Sequence, residues 1–435
     1  MIWFCYNVFF ALAFALLLPQ YLLRMRRRGG YRKDFLQRFG RYRPDVRAAL
    51  APGGRIWVHA VSVGEVAVAF GFMDEWRRLR PDARFLLTTN TSTAHAIARD
   101  RVRPPDVLVY FPLDFPPIVR RVFRQTRPAA LVLVECELWP NLIRRAAREG
   151  VPVYLANGRI SDASFRGYRR LRFLTRRLLP RFERFFVQTE SDRDRLAALG
   201  APAERLRVMG SAKYELAAGS EAGRARARAV LRAAGFRAGA PLWLAGSTWP
   251  GEEAAALDVH AAARARVPGL GFVLAPRHVE RAGEILGEIE RRGWRALRRS
   301  AVAPDAPPAA APPDVLLLDT TGELKDFYAA AEVVFVGKSL TRRGGQNPIE
   351  PAALGKAILV GPHMENFAAV MEDFRAADAA ITVRSPDEWR DRLIALLSDE
   401  AARAALGERA AALVRAKAGA LRRTVEEILA GTTAL

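Results

Sequence analysis

"RIWVHAVSVGEVAVAFGFMDEW", residues 55–76, decides the fold. Its first part, 55–62, is apolar and β-branched, as a strand buried on both faces should be. "SVGE" interrupts it, and apolar residues then return at helical spacing. Gly64 permits a tight turn and Glu65 begins a helix. The segment is one βα unit whose corner carries a carboxylate. That carboxylate has two readings: it complements the positive end of the helix, or it faces a ligand as an acid or base.

The same rhythm extends in both directions. Strands are expected at 55–62, 84–90, 106–112, 130–137, 151–157, 184–189 and 205–211, with amphipathic stretches between them. The pattern pauses over 214–240, which is small, polar and Ala-rich. It restarts with strands at 241–247, 271–278, 314–320, 332–339, 356–362 and 379–383, and is helical from 386 onward. "APDAPPAAAPP" (303–313) is a surface loop, because repeated proline cannot join a sheet interior. Alternation of this kind predicts two doubly wound α/β domains with parallel sheets, 24–215 and 216–435. A ligand cleft is expected between them, facing the carboxyl ends of the strands. The length of 435 residues suits two cores.

Residues 2–23, "IWFCYNVFFALAFALLLPQYLL", carry no charge. As a helix they would cover roughly 30 Å, the thickness of a hydrocarbon core. Eleven Lys/Arg and two Asp follow between Arg24 and Arg55. Positive residues stay on the cytoplasmic side, so 1–23 reads as an inner-membrane anchor and the body as cytoplasmic. A cleaved signal peptide fits poorly, since no basic region precedes the run and no small-residue cleavage site follows it. Pro19 and Gln20 leave open a helix lying in the interface.

The net charge of +22 points to an anionic partner, although Arg and Ala are abundant throughout, as a GC-rich genome would produce. "SFRGYRRLRFLTRRLLPRFER" (164–184) has eight Arg and one Glu among aromatics. It reads as a basic helix over the sheet or as a surface for anionic headgroups. Two cysteines and five scattered histidines provide neither a disulfide framework nor a metal site, and no metal or cofactor is expected.

The strand ends hold the residues suited to chemistry. Glu135 and Glu137 should share a face if their strand continues that far. Lys213 could hold an anion. "GSTWPGEE" (246–253) resembles an anion cradle of backbone N–H groups and hydroxyls ahead of a helix. Arg277 and His278 end another strand and suit a phosphate or carboxylate. Gly322 and Glu323 open a helix. Glu350 stands at a proline-flanked helix start, where it could take a ribose hydroxyl pair. "VGKS" (336–339) lacks the earlier glycine of a phosphate-binding loop. In "SDRDRLAALGA" (191–201), Ser191 or Asp192 is expected to cap a helix rather than bind a metal.

In this order and spacing, the N-terminal run with "YRKDFLQRFG", then "HAVSVGE", "ECELWPN", "NGRIS", "GSAKYE", "GSTWPGEE", "APRH", "TTGELKDFY" and "GGQNPIEPAA", the chain resembles the bacterial 3-deoxy-D-manno-octulosonic acid (Kdo) transferases. These are membrane-anchored glycosyltransferases of the GT-B fold. The resemblance implies a CMP-Kdo donor, which is a substrate rather than a cofactor, and a phosphorylated lipid A precursor as acceptor. It implies direct displacement without a metal, with Glu65 as general base and Glu135 and Lys213 stabilising the transition state. Pro276, Arg277, Thr321, Gly322, Glu323, Asn347, Pro348, Ile349 and Glu350 match the cytidine monophosphate site. The sequence departs from the family at Lys338, where Gly is common, and at Gln346 and Trp249, where His is common. Two rivals share some features. A transferase using another nucleotide sugar would need the same fold and anchor. A tethered nucleic-acid binder would explain the charge, but not carboxylates at strand ends.

Overall fold

A computed structural model describes residues 2–28, 34–215 and 220–431, with the backbone alone at 13 and 18–28. The boundary drawn at 215/216 borders residues outside this description, and the side chains of the arginines at 24–28 lie outside it as well. The chain divides into two compact units, unit 1 (1–216 with 418–435) and unit 2 (217–417).

Unit 1 is built on seven strands: β1 (Ile56–Ala60), β2 (Phe85–Thr89), β3 (Val107–Tyr110), β4 (Ala130–Val134), β5 (Val153–Gly158), β6 (Arg184–Val187) and β7 (Leu206–Val208). Their order is β3-β2-β1-β4-β5-β6-β7. Every pairing is parallel; Ile56, for example, lies between Phe85 and Ala130. Successive side chains enter opposite cores, as the two-residue period of a strand requires. Trp57 packs with Leu86 and Phe123 on one face, and Val58 with Phe72 and Trp76 on the other.

Unit 2 repeats the plan with β8 (Leu242–Thr248), β9 (Gly271–Pro276), β10 (Ala296–Arg298), β11 (Val315–Leu317), β12 (Val333–Val336), β13 (Ala357–Val360) and β14 (Ile381–Thr382). The order is β10-β11-β9-β8-β12-β13-β14. Trp243, Phe335 and Trp389 centre one of its cores. All thirteen expected strands form. The additional β10, "ALR", has neither length nor β-branched content to announce it.

Two expectations need correction. The helix Ala420–Ala430 was assigned to the second domain, yet Leu421, Val425 and Ile428 pack into the core of unit 1 beside Phe70 and Trp76. Its amphipathic face says that it packs, but not on which sheet. Helix Glu190–Leu199 is capped by Thr189, which accepts from the Asp192 N–H, rather than by Ser191 or Asp192. Asp192 instead accepts the Ile160 N–H at 2.8 Å. Among the described residues no helix is long and apolar enough to cross a membrane; part of the run expected as an anchor, 13 and 18–23, lies outside the described side chains. Residues 2–23 do lie within one helix, Ile2–Arg28.

Candidate active site

In each sheet the strand order reverses beside the first strand of the unit, between β1 and β4 and between β8 and β12. Open α/β sheets place ligands at the carboxyl ends of strands flanking such a reversal. The sequence puts its carboxylates and cations at those two places.

In unit 1, β1 leads through Ser62 into helix Val63–Leu79. The Ser62 hydroxyl accepts the Glu65 N–H at 3.3 Å, and one Glu65 carboxylate oxygen accepts the Val61 N–H at 2.8 Å. This resembles a capping box, with the carboxylate reaching one residue further back, to the N–H before the Ser62 cap. The helix-end role considered for Glu65 is therefore real, and it engages one oxygen. Across the reversal, β4 stops at Val134. Glu135 adopts a left-handed conformation, φ 61°, so the strand does not carry Glu135 and Glu137 on one face as expected. The turn nevertheless brings both within electrostatic reach of Glu65. Burial raises the Glu135 carboxyl above its ordinary value and Glu65 adds to the rise, while Lys213 and Arg159 oppose it. Glu137 is pushed up to about 7, chiefly by burial and then by Glu65. The Trp139 indole N–H donates to it at 2.8 Å.

Lys213 arrives from the turn after β7. Burial lowers its ammonium below the usual lysine value, and Glu135 pulls it back up. Asn157, at the end of β5, holds that turn in place: its side-chain oxygen accepts the Ala212 N–H at 3.0 Å. Asn157 is left-handed, φ 54°. The Asn157-Gly158 pair is a turn signature; the sequence reading has it as a strand end and as the start of the "NGRIS" match, without the role of holding this turn. The ends of four strands thus assemble three carboxylates and a lysine, which can deprotonate a hydroxyl and balance developing charge.

In unit 2 a cradle of backbone N–H groups does form, but Glu252 fills it, and only one of its four N–H groups, that of Trp249, comes from "GSTWPGEE". One oxygen of Glu252 accepts from Ser339 and Leu340, both at 2.9 Å, and the other from Trp249 at 2.9 Å and Lys338 at 2.7 Å. The carboxylate is fully buried and ties the loops after β8 and β12 together across the reversal. Gly337 is required there, since a Cβ would stand 2.6 Å from the Ser247 carbonyl oxygen and 2.8 Å from Glu252. Two adjacent glutamates at a helix start were the available signal for this role.

Around this clasp stand the residues expected to bind nucleotide. Pro276 ends β9, and the Arg277 that follows is exposed, its N–H bonded to the Thr248 carbonyl at 3.0 Å. Glu350 lies in the first turn of helix Ile349–Ala353, capped by Pro348. Burial raises its carboxyl, while a hydrogen bond from Asn347 (3.2 Å) and the charges of Lys325 and Arg277 hold it down. The Asn347 oxygen also accepts the Ile349 N–H at 3.1 Å. Arg277, Asn347, Ile349 and Glu350 are therefore brought together, with Lys325 as a cation the sequence reading did not single out. Thr321 and Gly322 form an exposed turn, with Gly322 at φ 92°. Glu323 is engaged internally, pairing with Arg299 at 2.8 Å and accepting from Thr320. The Lys338 ammonium lies 4.5 Å from the centre of the Trp249 ring, so two of the three departures form one cation–π pair. Among the described residues no group of three or more His, Cys, Asp or Glu is placed to hold a metal ion.

Along most of its length the chain is similar to known proteins. The family model described as 3-deoxy-D-manno-octulosonic-acid transferase (kdotransferase) matches residues 33–216. A 3-deoxy-D-manno-octulosonic acid transferase of Bordetella pertussis is 37% identical over 93% of this chain and 94% of its own length. One from Haemophilus influenzae is 30% identical, over 91% of each. In fold, the chain is similar to the UDP-GlcNAc 2-epimerase of Neisseria meningitidis, solved with UDP-GlcNAc, at TM-score 0.59 and 13% identity, covering 86% of this chain and 100% of that one. It is likewise similar to Anabaena HepE solved with UDP, at TM-score 0.57 and 13% identity, covering 87% of this chain and 100% of that one. Those likenesses are of fold alone and agree with a pair of GT-B-type units. Whole-length identity to the Bordetella and Haemophilus enzymes shows that the chain belongs to the 3-deoxy-D-manno-octulosonic acid transferase family of glycosyltransferases.

Proposed function

We propose that this protein transfers Kdo from CMP-Kdo to a phosphorylated lipid A precursor, lipid IVA, in lipopolysaccharide core biosynthesis. The observation that carries the reading is the gathering of Glu65, Glu135 and Lys213 at the strand-order reversal of unit 1. Glu65 accepts the proton of an acceptor hydroxyl. The oxygen so freed forms a bond to the anomeric carbon of the donor while the bond from that carbon to the CMP phosphate breaks, and CMP leaves with the electron pair. Lys213 balances the charge that grows on the unit 1 side, and Glu135 favours its charged form against the effect of burial. Arg277 takes the phosphate of CMP, and Asn347, Ile349 and Glu350 hold its nucleoside. Electrostatic stabilisation of this kind is worth several kcal/mol when the groups are preorganised, typically about 3–4 for one donor. No metal or cofactor enters the scheme, and CMP-Kdo is consumed as substrate.

The lipid acceptor sets the place of work. The protein is held at the inner membrane by residues 2–23, with its catalytic body in the cytoplasm, and the Arg-rich stretch 164–184 supports an anionic lipid partner. Purified protein incubated with CMP-Kdo and lipid IVA should yield a product heavier by whole Kdo residues in mass spectrometry. An unchanged acceptor with CMP-Kdo, or product formed only with a UDP-sugar, would overturn the assignment.

A further inference from the structure

Helix Ile2–Arg28 is fixed to unit 1 by its polar and aromatic residues. The Tyr6 hydroxyl donates to the buried carboxylate of Asp114 at 3.2 Å, and the Asn141 side-chain amide donates to the Asn7 oxygen at 2.8 Å. Asp114 also accepts the N–H groups of Asn141 and Leu142, at 3.0 and 2.8 Å, so the helix is pinned at the start of helix Pro140–Arg148. Phe10 and Phe14 meet Phe115 edge to face, with ring centroids 5.1 and 6.1 Å apart. The Arg144 guanidinium lies 4.4 Å over the Trp3 ring. Residues 3–14 are therefore seated on protein and cannot at the same time be surrounded by acyl chains. The uncharged run that remains, 15–23, would cover about 14 Å as a helix, half of a hydrocarbon core of roughly 30 Å.

Among the described residues, the opposite face of the same helix is exposed. Phe4, Phe9 and Leu16 are 71%, 73% and 78% exposed, and the exposed Val8 and Leu12 lie on the same side. Beside the helix runs a groove of about 750 Å³ lined by Arg120, Arg124, Arg144, Arg145 and Arg148. Arg144 lies in the field of Arg148 and Arg181, so the positive surface continues into the 164–184 stretch. Leu171 and Phe173 are exposed there too. An apolar helix face bordered by arginines suits the boundary between anionic headgroups and acyl chains.

We propose that helix Ile2–Arg28 lies in the plane of the bilayer surface rather than across it, with its outer face in the acyl boundary and the neighbouring arginines on anionic headgroups. The proposal rests on the membrane-acceptor reading above and specifies how the protein is held there.

The test uses the full chain with an epitope tag placed before Met1. In spheroplasts, external protease should spare the tag until the cells are lysed; removal of the tag from outside would mean a spanning helix and overturn the proposal. With purified protein, vesicles containing phosphatidylglycerol should bind at least about tenfold more tightly than pure phosphatidylcholine vesicles, with binding weakened by salt. Phe9→Glu with Leu16→Glu should reduce binding to both vesicle types by about tenfold or more. Arg120→Ser with Arg148→Ser should reduce only the anionic component. An unchanged circular dichroism melt, with Phe9→Ser as a milder substitute, guards against misfolding. Unaltered vesicle binding in both double variants, or loss of a dimer in place of loss of vesicle binding, would refute the proposal. CMP release with detergent-dispersed acceptor is measured separately: its failure with vesicle binding intact would remove the proposed reaction and leave the in-plane helix standing.

Discussion

The two strand-order reversals treat their carboxylates in opposite ways. At the reversal of unit 1, Glu65, Glu135 and Glu137 repel one another, and burial drives Glu135 and Glu137 upward. At that of unit 2, Glu252 is buried more deeply still but receives four backbone N–H groups. A buried charge that the fold fully satisfies is architecture. A cluster the fold leaves in tension is where a substrate proton or cation completes the balance. On the proposed reading, the contrast goes with chemistry in unit 1 and donor scaffolding in unit 2, and each part of that reading can be broken by substitution.

The largest effect belongs to Glu65. Glu65→Gln retains an oxygen for the Val61 N–H but cannot accept a proton. Turnover should fall by about 10²–10⁴ while CMP binding and the melting temperature change little. If Glu65 only capped its helix, the same substitution would cost at most about 1 kcal/mol of stability and leave turnover nearly intact. Measuring turnover and melting on one variant separates the two roles.

Glu252→Gln should do the reverse. An amide has one oxygen where the carboxylate has two, so two of the four N–H groups would face an NH₂. Leaving buried donors unpaired costs about 1–3 kcal/mol each. Hydrogen exchange at the amides of 338–340 should accelerate by roughly a hundredfold. Unchanged exchange would mean that the clasp is not what holds these loops. Arg277→Ala is smaller and confined to the donor. Loss of a charge-assisted contact to phosphate is worth about 1.5–3 kcal/mol, so the CMP dissociation constant should rise roughly ten- to hundredfold, with the fold unaffected. Isothermal titration reads it directly, and an unaltered constant would remove Arg277 from the site.

What the sequence disclosed follows from where information is local. Strand after strand of unit 1 was legible because a strand buried on both faces is an unbroken apolar run. The short edge strand "ALR" was not, because its pairing with β11 is supplied by the sheet. Glu65 was legible as a carboxylate at a corner, and its capping bond could be anticipated from Ser62 three residues earlier. The clasp formed by Glu252 was not legible, because three of its four partners, at 338–340, are far away in sequence and no local pattern reveals that an N–H cradle is already filled. The helix Ala420–Ala430 shows the same limit: its apolar face was visible, the sheet it covers was not.

Tension in unit 1 also predicts a pH signature of intermediate size. The Glu137 carboxyl lies at about 7 in the folded protein against an ordinary 4.5. Between those values the folded state holds more protons than the unfolded one, so stability falls as pH rises from about 4.5 to 7. Glu137→Gln removes that titration. The variant should melt close to wild type near pH 4.5 and above it near pH 7.5, by about 1–2 kcal/mol after allowance for partial solvent screening. A wild-type curve parallel to that of the variant across this range would show that Glu137 is not held out of its ordinary state.

The smallest effect tests whether unit 2 contains a feature peculiar to this chain. Lys338 adopts φ 56°, a left-handed conformation that costs a side-chain-bearing residue roughly 1–2 kcal/mol, and its ammonium rests on the Trp249 ring. The side chain also runs alongside Gly344, whose added Cβ would meet its Cε and Nζ at 3.2 Å. Lys338→Gly relieves the backbone strain and loses a cation–π contact worth about 0.5–1 kcal/mol. The two terms nearly cancel, so the melting temperature should stay where it is or rise slightly. The Lys338 N–H on Glu252 survives the change. If the ammonium has been positioned to meet the donor, KM for CMP-Kdo should nevertheless rise severalfold with turnover unchanged. A coincident loss of stability and turnover would instead show that the pair is structural. An unchanged KM would show that the family's usual glycine serves this enzyme equally well.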